Sequence, residues 1–86
     1  MNDEATITAE ILRQVEARGD GKSICPSEVA RGLAPSDWRK LMSAVRRAAV
    51  RLSQAGRLDI LRKGRVVSAA EMHGVIRLRV RRPENI

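Results

Sequence analysis

The stretch from Ser36 to Gly56 constrains this chain more than any other. On a wheel at about 100° per residue, Trp38, Leu41, Met42, Val45, Ala48, Ala49 and Leu52 fall within an arc of about 120°. Arg39, Lys40, Arg46, Arg47 and Arg51 lie outside that arc, with Ser43 and Gln54 among them. One helix therefore carries a stripe that must be buried and a cationic face that must stay wet. Ser36 is placed to cap it, Asp37 suits its first turn, and Gly56 closes it, giving a helix over residues 37–55. Everything else in the fold has to cover one side of this helix.

Upstream, Ile7, Ile11, Leu12 and Val15 form a second helical stripe. It predicts a helix over residues 8–17 with Thr8 as N-cap and Glu10 near its positive end. Residues 1–7 are expected to be a flexible lead-in. Gly19 is placed to end the helix. Lys22, Ser23 and Ile24 suit a minimal strand. Pro26 fits a first helical position, because its missing N–H costs nothing there. Cys25 is then the N-cap, Glu28 completes a capping box, and Ile24 with Val29 form a hydrophobic staple. A start at Ser27 is the competing reading, since cysteine is a poor cap. Val29, Ala30 and Leu33 face inward in either case. Ala34-Pro35 breaks this short helix, because proline disfavours helical geometry in the residue before it. Two helices joined by so short a turn form a helix-turn-helix pattern.

After Gly56 the period changes from helical to alternating. Leu58 and Ile60 alternate with Arg57 and Asp59, which is a strand signal. Lys63-Gly64 marks a turn, and residues 65–67 return as a second strand. Ser68 and Glu71 have capping-box spacing around a single helical turn. Gly74 ends that segment. From 75 to 81, Ile76, Leu78 and Val80 point one way, and Arg77, Arg79 and Arg81 the other. Residues 83–86 are a tail. The order is helix, strand, helix, helix, strand, strand, strand. It predicts one α+β winged-helix domain over residues 8–82, with a three-helix core and a small antiparallel sheet as the wing.

Several motifs in this order resemble a small bacterial family of unknown function that is described as winged-helix-like. They are Cys25-Pro26-Ser27-Glu28-Val29-Ala30-Arg31, then Trp38-Arg39 with Met42 and Val45-Arg46. Ala55-Gly56-Arg57, Lys63-Gly64 and Gly74-Val75-Ile76-Arg77-Leu78 extend the resemblance over about residues 8–81. It implies the same fold. It carries over no activity and no catalytic or binding residues, and fold analogy does not establish function.

Charge narrows the function. The chain has a formal net charge of +7, unevenly spread. Residues 1–20 hold five acids and two bases, a net of −3; the remainder holds fifteen bases and five acids, a net of +10. Such asymmetry favours a polyanionic partner on one side of the fold. The second helix of a helix-turn-helix lies in the major groove of DNA, its N-terminal part reaching base edges. That selects Arg39, Lys40, Ser43, Arg46 and Arg47, because arginine can bond guanine O6 and N7 with two donors. A wing tip at Arg62, Lys63 and Arg65 would meet the backbone or the minor groove. The expected partner is double-stranded DNA, with a transcriptional regulator as the cellular role. An acidic protein docked on the long helix or the sheet is the rival.

Arg51 lies further along and suits a phosphate or nothing. Arg77, Arg79, Arg81 and Arg82 read as a solvated strand face that discourages edge pairing. Trp38 is expected in the core. With Trp38 as the one aromatic residue, there is no stacking platform for single-stranded RNA. Cys25, Glu71 and His73 lack metal-ligand spacing and offer no nucleophile–base pair, so neither a metal, another cofactor nor an enzyme is expected. A single cysteine requires no oxidising compartment, and no apolar run reaches the ~20 residues of a membrane span. A cytoplasmic monomer, or a weak homodimer through the first helix, is the resulting expectation.

Overall fold

The computed structural model describes residues 2–81. Helix α1 spans Glu4–Arg18. Its N-cap is Asp3, whose side chain accepts the Thr6 N–H at 2.9 Å. That bond, from a backbone donor that a helix start leaves orphaned, is why the helix begins at Glu4 rather than Thr8. It also holds the Asp3 carboxyl below its ordinary pKa. Ile7, Ile11 and Val15 are buried, as their spacing requires.

Strand β1 (Ser23–Ile24) leads into helix α2 (Pro26–Leu33). The start is Cys25, not Ser27. Pro26 occupies the first turn, and the Glu28 carboxylate accepts the Cys25 N–H at 2.6 Å. Ile24 and Val29, the two staple residues, are both in the core. Helix α3 spans Trp38–Gln54. Its N-cap is Asp37, and Ser36 lies outside in the turn. The Asp37 carbonyl already accepts the Lys40 N–H at 3.0 Å, which sets the first helical turn one residue later than the sequence pattern places it. At the other end Arg57 N–H bonds to Leu52 and Gly56 N–H to Ser53. This is a Schellman closure, and Gly56 supplies its positive φ of 76°.

Four antiparallel strands form one sheet in the order β1-β4-β2-β3, where β2 is Leu58–Arg62, β3 is Arg65–Val66 and β4 is Arg77–Val80. A single 3₁₀ turn at Ala69–Glu71 separates the last two strands, capped by Ser68 with Glu71 reaching back to the Ser68 N–H. β4 is shorter than the alternation from residue 75 suggests, and Val75 stands outside it, 84% exposed. Val67 also falls outside β3, although its N–H still reaches the Ile60 carbonyl.

The helices cover one face of the sheet. Leu58, Ile60, Leu78 and Val80 point from that face into the core, where they meet Ile7, Ile11, Val15, Val45, Ala48 and Ala49. Among the described residues no polar or charged side chain is buried. No described helix is long and apolar enough to cross a membrane. The result is an α+β fold compatible with a winged-helix arrangement, in which the excursion between β2 and β4 is the wing. The tail at 83–86 and Arg82 lie outside the described residues.

Candidate nucleic-acid interface

Val45, Ala48, Ala49 and Leu52 bury one side of α3. The opposite side is left open, and the cationic residues spread across it. At about 100° per residue, Arg39 and Arg46 lie on one flank, Ser43 near the middle, and Lys40, Arg47 and Arg51 on the other.

On the first flank, Arg46 faces the wing, while Arg39 lies over Trp38 beside Arg31 of α2. Arg46 is half-buried and donates from both terminal nitrogens to the Gly74 carbonyl, at 3.3 Å each. From β2, Arg62 donates its Nε–H to the neighbouring carbonyl, that of His73, at 3.0 Å. One side chain of the helix and one of the wing thus grip consecutive backbone carbonyls. The structure brings together Arg46 and Arg62, two of the candidate residues, and makes the His73-Gly74 segment the joint between α3 and the sheet.

The wing tip is built by a tight turn. Lys63 has φ 53° and Gly64 φ 79°, and two successive positive φ values are what a two-residue hairpin matched to strand twist requires. The turn places Arg65 directly across from Arg62. Both share the sheet face that continues from Leu58 and Ile60, the face on which α3 packs. Like charges directly opposite each other are unfavourable in a sheet, and an anion placed between them relieves the repulsion.

The other flank of α3 is arranged differently. Arg47 lines a cleft of about 270 Å³ with Asn2, Glu4, Ile7, Ala44 and Arg51, between α3 and the start of α1. Arg51 is ion-paired with Glu4, so it is neither idle nor a free phosphate ligand. Arg47 is exposed and has no ion pair among the described residues, and it sits apart from the Arg46–Arg62 joint. Lys40 lies 4.0 Å from Asp37, with both side chains largely in water, where such a pair is worth little. Ser43, Lys63 and Arg65 are exposed.

Trp38 is not in the interior. It is half-buried against the rim of the core, with the Arg31 guanidinium 4.4 Å and that of Arg39 4.5 Å from its ring centroid. Its position in the first turn of α3, beside the end of α2, leaves room on the ring for both. The wheel could not show this, because Arg31 comes from a different helix.

The strand arginines are also partnered. Arg77 donates to the Ser23 hydroxyl at 2.7 Å and to the Ser23 carbonyl at 2.8 Å. Arg79 pairs with Asp59 at 3.0 Å, and Arg81 approaches the same carboxylate at 4.0 Å. The stripe is a set of cross-strand ties on the outer face of the sheet, with Arg77 and Arg81 still exposed to solvent as expected. Cys25 stands at the start of α2, where it accepts from the Ser27 hydroxyl at 3.1 Å, and Glu71 is engaged by Ser68.

Residues 4–81 match a protein-family model described as "Protein of unknown function (DUF3253)". The chain belongs to this family. The match covers every described helix and strand, so the DUF3253 unit includes the α3 face, the wing and the joint between them. Among curated proteins there is no match.

Proposed function

We propose that this DUF3253 chain binds double-stranded DNA, with the exposed face of α3 in the major groove and the wing against the backbone. The observation that carries this reading is the shared grip of Arg46 and Arg62 on the Gly74 and His73 carbonyls. It makes two cationic segments, far apart in sequence, neighbours on one side of the fold. Arg39, Lys40, Ser43 and Arg47 are the candidates for base edges and adjacent phosphates, and Lys63 and Arg65 for the backbone beside the wing. Arg46 and Arg62 hold the surface in shape and keep their remaining N–H groups for phosphate. A role in transcription regulation follows from such binding as the working assignment. The test is fluorescence anisotropy with a labelled random-sequence duplex. Six to eight phosphate contacts should make affinity fall about a thousandfold or more between about 50 and 200 mM salt. A flat salt response, or no binding at the lower salt, overturns the reading.

A second reading has its own observation. On the outer sheet face, Ser23, Leu61, Lys63, Gly64, Val75 and Arg77 line a cleft of about 330 Å³. Val66, opposite Leu61, is 57% exposed. An apolar floor with a cationic rim suits an acidic partner protein carrying an aliphatic side chain. Replacing Val75 with Asp distinguishes the two. It abolishes such docking and, because Lys63 alone belongs to both surfaces, weakens duplex binding by a few-fold at most.

A further inference from the structure

We propose that Arg31, Trp38 and Arg39 form a phosphate clamp at the N-terminal end of α3, which holds a backbone phosphate at the edge of the groove. The inference rests on the duplex reading above and adds to it a residue from α2.

Arg31 and Arg39 approach one ring from two different helices, with guanidinium carbons 4.4 and 4.5 Å from its centroid. Two like charges are thus held against one indole. Among the described residues neither guanidinium has a carboxylate partner, and the nearby Asp37 carboxylate lies toward Lys40. The electron-rich ring face offsets part of the repulsion. It does not neutralise the charge. A guanidinium over a ring still has N–H groups that the ring does not engage, and these can bond phosphate oxygens in pairs. Stacking also orders two long side chains that would otherwise lose rotamer freedom on binding.

Position gives the ligand its class. Arg39 and Arg46 are seven residues apart, roughly 10 Å along the helix. The major groove of B-DNA is about 12 Å wide. The clamp and the Arg46–Arg62 joint therefore bracket Ser43 with cations at a separation that suits the two backbones flanking one groove.

Trp38 is the single tryptophan of the chain, so its emission reports on this clamp alone. The full chain is titrated with a random-sequence duplex, following Trp38 emission and the anisotropy of a label on the DNA in parallel. Both signals should change over the same concentration range. Arg31→Gln should weaken binding about fivefold and lower the salt slope by about one, with an unchanged thermal melt. Arg31→Lys should keep the slope and still lose affinity, because lysine supplies the charge without the planar fork. If wild type binds duplex while Trp38 emission stays constant and Arg31→Gln changes neither affinity nor slope, the clamp is wrong and the duplex reading stands. If the duplex does not bind at low salt, the duplex reading fails and takes the clamp with it. A response of Trp38 to inorganic phosphate that matches its response to an equal phosphate concentration as duplex overturns the groove-edge assignment, since it marks a site for free anions.

Discussion

Arg46 directs both terminal nitrogens of its guanidinium at one acceptor, the carbonyl oxygen of Gly74. Its neighbour Arg47 makes no such contact. The two therefore separate in a mutagenesis experiment although they are adjacent in sequence. Arg46→Ala should lower stability by about 1 kcal/mol, or roughly 4–8 °C in melting temperature, as well as weakening duplex binding. Arg47→Ala should weaken binding and leave stability within about 0.5 kcal/mol. Equal melting temperatures for the two variants would mean that the joint with the wing contributes nothing in solution.

The two sides of α3 and the sheet beneath differ in burial, and truncations should register it. Leu58 is fully buried beneath α3, whereas Leu41 is packed only at the rim. Leu58→Ala should cost about 2–5 kcal/mol by urea denaturation, and Leu41→Ala clearly less. The reverse order would put the helix in the wrong rotation about its axis.

Gly32 tests how tightly α1 meets α2. A Cβ added there would lie 3.1 Å from both the Gln14 amide nitrogen and a Glu10 carboxylate oxygen. Gln14 is held in turn by Glu10 and by the Glu28 carbonyl. Alanine in place of an interior helical glycine ordinarily stabilises by about 1 kcal/mol. Because the atoms in the way are the ends of side chains, Gly32→Ala should still stabilise, by less than that full amount. A destabilised variant in a thermal melt would show the Glu10–Gln14 cluster to be rigid.

Acid should weaken the fold through Glu10. Bonds from Arg13 at 2.6 and 2.8 Å hold its carboxyl well down, to about 2 from an ordinary 4.5. A depressed folded-state pKa contributes stability that is whole above the unfolded value and is lost as pH falls through the folded one. Chemical denaturation from pH 6 to pH 2 should therefore show a decline beginning near pH 5. Glu10→Gln should be less stable at neutral pH and show a shallower decline. The same slope in both proteins would assign the acid sensitivity to other carboxylates.

Local signals proved the most readable in the sequence. The α2 start was legible because proline, capping glutamate and staple fall within six residues, and the Lys63-Gly64 turn because its backbone demands are local. Features that depend on register were not. Nothing in sequence places Ser23 beside Arg77 or Asp59 beside Arg79, so the ties across the exposed face went unread. Arg46 and Arg62 looked like free groove cations because the carbonyls they hold belong to a segment with no periodicity. Trp38 fell inside the apolar arc, but the arc cannot tell the buried middle of a helix from its end. At α1 the apolar stripe begins at Ile7, which hid the cap supplied by Asp3 four residues earlier.

The strand order has a consequence for how the chain is made. β4, the last of the four described strands in chain order, lies between β1 and β2, and Ser23 pairs with Arg79. Until Arg77–Val80 has left the ribosome, β1 has no neighbour and the core-facing side of β2 is only partly covered. The three helices can associate early through local contacts, but the sheet closes in a single late step. A nascent chain stalled before β4 therefore leaves Ile24, Leu58 and Ile60 incompletely covered, a ready target for chaperones and proteases.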